Sequence, residues 1–163
     1  MPRIMTIAAA QMGPIQRADS REDVIQRMCA LLRDAHAKGA SFVVFPELAL
    51  TTFFPRWYHE DVSEADHWFE RDMPNAATRP LFDCARSLGL GMTFGYAEMT
   101  PDGQRFNTSI LVAPDGEIVG KYRKVHLPGH AEFDPERAQQ HLEKRYFEPG
   151  DLGFPVWRFM GGI

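Results

Sequence analysis

Cysteine is scarce: Cys29 and Cys84 are the two in 163 residues. Two thiols cannot staple a small secreted domain, and they fit a reducing compartment. Long apolar runs are missing as well; no stretch approaches the ~20 residues that cross a bilayer. There is no basic excess. Eighteen Lys and Arg face 22 Asp and Glu, and the net charge of −4 leaves no stripe for nucleic acid. The chain has no glycine-rich phosphate loop, no serine in a nucleophile elbow, no internal repeat and no low-complexity tract. The expectation is a cytoplasmic globular protein with neither a nucleic-acid nor a membrane partner.

What is present is a core. Hydrophobic residues make up 44% of the chain, with 12 Phe and 3 Trp, enough for one domain with aromatic-lined layers. The N-terminal MPRIMTIAAAQMG faintly resembles a leader peptide, with Arg3 ahead of an apolar run and Ala8-x-Ala10. That run is short and interrupted by Thr6, so Met5 to Gln11 reads better as a first buried strand. Ser20 then caps a helix with Glu22 and Asp23 in its first turn, and Val24, Ile25, Met28, Cys29, Leu31, Leu32 and Ala35 recur at helical spacing. Lys38-Gly39 closes it. Phe42 to Phe45 follows, an apolar run that predicts a parallel strand buried on both faces. This is a β-α-β unit, hence an α/β fold with a right-handed crossover.

Pro46 stops that strand, and Glu47 stands at its carboxyl end, where open α/β sheets bind ligands. Phe45, Leu48 and Leu50 predict a partly desolvated carboxylate, the condition for a general base. Thr51 to Met73 is rich in aromatics and reads as a wrapping loop with a short helix near 63–69. Thr78 is expected to cap the next helix, with Leu81, Cys84, Ala85 and Leu88 as its buried stripe and Gly89 at its end. Strands are predicted at 90–99, 106–113 and 117–122, joined by Pro-Asp-Gly turns that convert the sheet from parallel to mixed. Residues 131–150 read as a polar loop, and 154–159 as one more strand.

Three constellations could carry chemistry. Glu47, Lys124 and Glu143 could share a proton network, with one base and one cation for an oxyanion, or form a purely structural ion cluster. His126, His130 and Glu132 have metal-ligand spacing, but Pro128-Gly129 breaks the helix such a site needs, so no metal is expected. Cys29 and Cys84 fall on apolar helical stripes and read as inert core thiols.

Three segments say more than spacing does: VVFPELALTTFFPRW (43–57), RFNTSILVAPDGEIVGKYRKVHLPGH (105–130) and HLEKRYFEPGDLGFPV (141–156). Together they resemble the nitrilase superfamily of carbon–nitrogen hydrolases, and within it the N-carbamoyl-D-amino-acid hydrolases. The likeness runs over essentially the whole chain. It implies an α-β-β-α sandwich with two mixed sheets, of which residues 1–163 resemble the N-terminal half. It implies Glu47 as general base, Lys124 as the oxyanion cation and Glu143 as the second site glutamate. His126 and His141 match histidines of the carbamoylase subgroup and are expected to support the site. A cysteine thiolate would attack the ureido carbonyl of an N-carbamoyl amino acid, releasing D-amino acid, ammonia and carbon dioxide without metal or organic cofactor.

In the resemblance the nucleophile lies a few residues past position 163, and the groups that grip the substrate carboxylate lie farther on. These residues are therefore expected to carry base and lysine without the nucleophile, and to be inactive alone. The family implies a homo-oligomer. Exposed strand edges predict poor stability or self-association of the isolated chain. Three other readings remain open at this point. One is a different amidase or nitrilase of the superfamily. Another is a non-catalytic module using the aromatic loop Phe53 to Trp68 as a partner surface. The third is a metal-dependent hydrolase built on His126 and His130.

Overall fold

The computed structural model describes residues 4–162; Arg3, part of the leader-like pattern, and Ile163 lie outside the described residues. The order is β1 (Ile7–Ala9), α1 (Arg21–Ala37), β2 (Phe42–Val44), two 3-10 turns (Phe54–Arg56 and Val62–Trp68), α2 (Arg79–Leu88), β3 (Gly91–Met99), β4 (Arg105–Val112), β5 (Ile118–Arg123) and α3 (Glu143–Tyr146). The five strands lie in sequence order. β1 to β3 are parallel, and β3 to β5 form an antiparallel meander. The mixed sheet and the β-α-β unit are as the sequence predicts. Sheet and helices together form a two-layer α/β unit.

Local chemistry sets the helices. The Ser20 hydroxyl oxygen accepts from the Asp23 N–H, satisfying one of the free donors at the start of α1. Its buried stripe, Val24, Ile25, Met28, Cys29, Leu32 and Ala35, packs onto the sheet. Met28 and Leu32 are fully buried, each contributing roughly 2–3 kcal/mol by area. α2 ends on Gly89, whose φ of +63° is the left-handed conformation a helix C-terminus needs. Thr78 holds the N-cap position of α2 but does not cap it; its hydroxyl accepts from the Asn75 N–H, which closes the preceding turn instead.

Strand alternation divides the sheet into two faces. Met92, Phe94, Tyr96, Ile110 and Val112 point toward α1 and α2. Thr93, Gly95, Asn107, Ser109 and Tyr122 point the other way. The second face is lightly covered. The segment 154–162 crosses it, with Phe159 over Gly91 and Trp157 over Gly120; a Cβ at either glycine would meet the ring above it within 3 Å. The strand expected at 154–159 is absent; Phe159 makes only a bridge to Gly162, because the segment lies across the strands rather than beside them. β1 is not a buried strand. It lies at the sheet edge, with Ile7 56% exposed, and Val44 of β2 is 39% exposed on the same face. Residues 131–150 are not all loop, since α3 lies within them.

A second core sits at one end of the sheet. Phe54 stacks on Trp68 at 5.0 Å and meets Tyr146 edge-on at 5.5 Å. Leu48, Phe69, Ala97, Met99 and Leu142 complete it. The aromatic loop therefore spends its largest rings on packing, and Phe54 and Trp68 are not a free partner surface. Among the described residues no helix is long and apolar enough to cross a membrane.

Glu98 is the main buried charge of the helical face. Burial opposes its ionisation, but Arg123, Lys121 and Thr108 all hydrogen-bond the carboxylate, which takes it from the ordinary 4.5 to about 2. A depressed carboxylate stabilises the fold above its unfolded value, and that stability is lost as pH falls through the folded value. Urea midpoints should thus decline from about pH 4.5 toward pH 2. Glu98→Gln should cost about 3 kcal/mol at pH 7 and flatten that decline; identical pH profiles for the two proteins would remove the assignment. The exposed edge and open face also predict concentration-dependent association of the 163-residue polypeptide in sedimentation, and a monomer that melts cooperatively would contradict it.

Candidate active site

The chain does not leave the sheet when β2 ends. Phe45 N–H donates to the Thr93 carbonyl at 2.9 Å, Gly95 N–H to the Pro46 carbonyl at 3.2 Å, and Ala49 N–H to the Gly95 carbonyl at 2.8 Å. The turn that carries Glu47 is thereby laid flat on β3. The approach is close enough that a Cβ at Gly95 would stand 2.8 Å from the Leu48 nitrogen and 2.9 Å from the Glu47 Cα. Leu48 adopts a φ of +48°, a left-handed conformation that costs a branched residue roughly 1–2 kcal/mol. Its side chain is buried in the second core, which offsets that cost.

Topology then brings three other segments to the same end of the sheet. Because β4 runs antiparallel, its start lies beside the carboxyl ends of β3 and β5. Asn107 stands there. Lys124 follows β5 directly; its N–H donates to the Asn107 carbonyl at 2.8 Å, and its carbonyl accepts from Gly150 N–H at 2.9 Å. Glu143 opens α3, which is tied to the aromatic core. Leu142 N–H donates to the Pro55 carbonyl at 2.8 Å, and the Tyr146 hydroxyl donates to the Trp57 carbonyl at 2.7 Å.

The side chains converge. Lys124 Nζ lies 2.6 Å from Glu47 Oε1 and 2.9 Å from Glu143 Oε2. Asn107 Nδ2 donates to Glu47 Oε1 at 2.5 Å and lies 3.4 Å from Glu143 Oε2. His141 Nε2 is 3.0 Å from Glu143 Oε1. Burial works against the Lys124 ammonium, yet the hydrogen bonds to Glu47 and Glu143 outweigh it and hold the group above the usual lysine range. Glu143 is only 2% exposed, whereas Glu47 is 46% exposed. Desolvation by its apolar neighbours, expected from the sequence, is therefore incomplete at Glu47; its carboxylate is positioned by partners more than by burial. The group opens on a cavity of about 470 Å3 on the lightly covered face, bounded also by Thr93, Tyr122 and His126.

Glu47, Lys124, Glu143 and His141 are thus brought into one hydrogen-bonded group. His126 lies at the cavity wall, its ring 6.0 Å from that of Phe154, outside the group. His126, His130 and Glu132 do not assemble; among the described residues no three His, Cys, Asp or Glu side chains converge as ligands. Cys29 and Cys84 lie buried between α1 and α2, on the helical face. Burial, with Cys84 beside it, pushes the Cys29 thiol up to about 12, so it stays protonated at neutral pH. Asn107 is the residue that reading for charge overlooked. An amide at a buried strand position, 4% exposed, must find a partner, and that was the available signal.

Gly95→Ala places a methyl group against backbone that cannot move aside. The expected cost is at least ~2 kcal/mol in urea denaturation, with the turn of Glu47 displaced. A Gly95→Ala protein of unchanged stability would show that the turn is free to shift.

Comparison with known proteins identifies the family of the chain. The carbon-nitrogen hydrolase family matches residues 6–162. A nitrilase of Pyrococcus abyssi is 33% identical over 94% of this chain and 51% of its own length. An N-carbamoylputrescine amidase of Solanum lycopersicum is 26% identical over 96% of this chain and 47% of its own. The crystal structure of a carbon-nitrogen hydrolase from Helicobacter pylori G27 superposes with a TM-score of 0.67 at 26% identity, over 92% of this chain and 45% of that one. The chain spans about half the length of these relatives. With a mixed sheet of this topology and a match over nearly all of its length, the chain belongs to the carbon-nitrogen hydrolase family, in the nitrilase superfamily.

Proposed function

We propose that these residues form the base-and-lysine half of an N-carbamoyl-D-amino-acid hydrolase. The observation that carries the reading is the Lys124 ammonium held between Glu47 and Glu143 at the edge of a cavity. Glu47, the more exposed carboxylate, accepts the proton of a cysteine thiol supplied by the remainder of the protein. The thiolate adds to the ureido carbonyl, and the carbonyl oxygen becomes an oxyanion facing Lys124. Collapse breaks the bond to the terminal nitrogen, which takes a proton from Glu47 and leaves as ammonia. Water, deprotonated by Glu47, then opens the S-carbamoyl linkage, and the resulting carbamic acid loses carbon dioxide to give the amino acid. Glu143 holds Lys124 charged and aimed, Asn107 orients both carboxylates, and His141 fixes Glu143.

The carbamoyl substrate is supported by the segments around HLPGH and HLEKRYFEPGD and by a relative named for N-carbamoylputrescine. A nitrilase or simple amidase is the second reading. It is favoured by the 33% identical relative named a nitrilase, and the Glu47–Lys124 pair serves either chemistry. Cytoplasmic location and a homo-oligomeric assembly belong to the proposal.

Ammonia release decides between them. The 163-residue polypeptide alone is expected to release none. Mixed with a cysteine-bearing second half, it should release ammonia from N-carbamoyl-D-amino acids, not from the L-isomers, and Glu47→Ala should reduce the rate by at least ~100-fold. Faster turnover of aliphatic amides or nitriles than of N-carbamoyl-D-amino acids would overturn the substrate assignment. Turnover by the polypeptide alone would place the nucleophile within these residues.

A further inference from the structure

The first residue of α1 is an arginine, at a position where the helix dipole favours an acid. Glu22 and Asp23 follow that preference and Arg21 does not. A local rule broken in this way points to a contact made elsewhere in the fold. That contact is with the turn that carries Glu47. The Arg21 side chain is 20% exposed, and its guanidinium faces three segments. Nη1 donates to the Leu50 carbonyl. Nη2 lies 2.6 Å from Glu70 Oε1 and donates to the Trp68 carbonyl at 3.4 Å.

Each of these partners is itself fixed. Glu70 is hydrogen-bonded onto β3: its N–H donates to the Ala97 carbonyl at 2.8 Å, and its carbonyl accepts from Met99 N–H at 2.9 Å. Asn75 Nδ2 donates to Glu70 Oε2 at 2.6 Å. Trp68 stacks on Phe54 in the aromatic core. Leu50 ends the turn 47–50 and is fully buried. Among the described residues its carbonyl accepts from no backbone N–H, so Arg21 satisfies it. The near end of the turn is held by Gly95, through Pro46 and Ala49, and the far end by Arg21. Leu48 lies between the two grips at its φ of +48°, a conformation that persists only where the surroundings enforce it. Glu47 is 46% exposed, so the grip on its backbone, more than burial, sets where its carboxylate stands.

The geometry points to Arg21, paired with Glu70, as a positioning residue for Glu47. It touches no reacting atom. By holding the Leu50 carbonyl against a glutamate anchored on β3, it fixes the far end of the turn, and with it the reach of the Glu47 carboxylate toward Lys124 and the thiol. The role rests on the reading of Glu47 as general base.

The test combines residue-resolved amide hydrogen exchange with steady-state kinetics, on the polypeptide mixed with its cysteine-bearing second half. The double variant Arg21→Met/Glu70→Gln removes the guanidinium without stranding a buried carboxylate, which keeps the fold intact. In it the Ala49 N–H, which donates to the Gly95 carbonyl, should exchange at least ~10-fold faster, while the amides of the β3–β4 ladder keep their rates. kcat should fall at least ~10-fold with KM within about twofold, because a displaced base costs the transition state more than it costs binding. Glu70→Gln alone leaves Arg21 on the Leu50 carbonyl and should show smaller changes in both. Ile25→Val, which trims the buried stripe of α1, should lower the urea midpoint and leave kcat and Ala49 exchange unchanged. An unaltered kcat in the double variant overturns the positioning role. So does equal acceleration of Ala49 and the ladder amides, or an equal loss of kcat in Ile25→Val. Failure of the two readings is separable. A kcat that depends on Glu47 but not on Arg21 removes the positioning role alone. Faster turnover of an amide or nitrile removes the substrate assignment alone, and the Arg21 comparison is then read on that compound. A kcat that survives Glu47→Ala, or no turnover of any compound, removes both.

Discussion

One ammonium group ties together segments that are 77 and 19 residues apart in sequence. Lys124 reaches Glu47 on the turn after β2 and Glu143 at the start of α3, and each of those carboxylates is held in turn by Asn107 or His141. A nearly fully buried carboxylate such as Glu143 is unfavourable without compensation, because removing a charge from water costs several kcal/mol. Its burial is tolerated only because Lys124, Asn107 and His141 occupy its lone pairs. The converse also holds: Lys124 keeps its charge against partial burial only because two carboxylates face it. The two elements that carry these groups are therefore fixed relative to each other by electrostatics as well as by packing.

Packing sets where that interaction can form. The sheet is asymmetric: α1 and α2 seal one face with an aliphatic core, while the other bears small and polar side chains and the cavity. Gly95 is the point of contact between the two requirements. Only a residue without a Cβ lets the Glu47 turn rest on β3, and that contact sets the height of the carboxylate above the sheet. The aromatic core performs the same service for Glu143. Phe54, Trp68 and Tyr146 anchor α3, so an otherwise irregular stretch presents its first residue inward at a fixed position.

The face that carries the chemistry is also the one least covered. Ile7, Val44, Phe154 and Val156 are exposed there or beside it, with Val156 75% exposed. Such a surface suits a layer packed over it, as the sandwich implied by the sequence resemblance requires, and explains why the cavity is a broad recess. The thiols are separated from this chemistry by the sheet itself. Cys29 and Cys84 belong to the helical layer, and their burial keeps them as packing groups.

The sequence by itself determined the elements and their direction. Helical spacing from Val24 to Ala35, the Ser20 cap and Gly89 fix α1 and α2, because these depend on contacts within a turn or two. The Pro-Asp-Gly turns fix the change from parallel to antiparallel pairing for the same reason. Glu47, Lys124, Glu143 and His141 were legible as candidates through the segments around them. Only the tertiary structure decided that Asn107 joins them, that His126 stands apart at the wall, and that the aromatic loop is core. It also decided that β1 and Val44 are exposed and that residues 154–159 cross the sheet instead of extending it. Each of these depends on which face a side chain meets across the fold, a property set by the pairing of distant segments and not by neighbours along the chain.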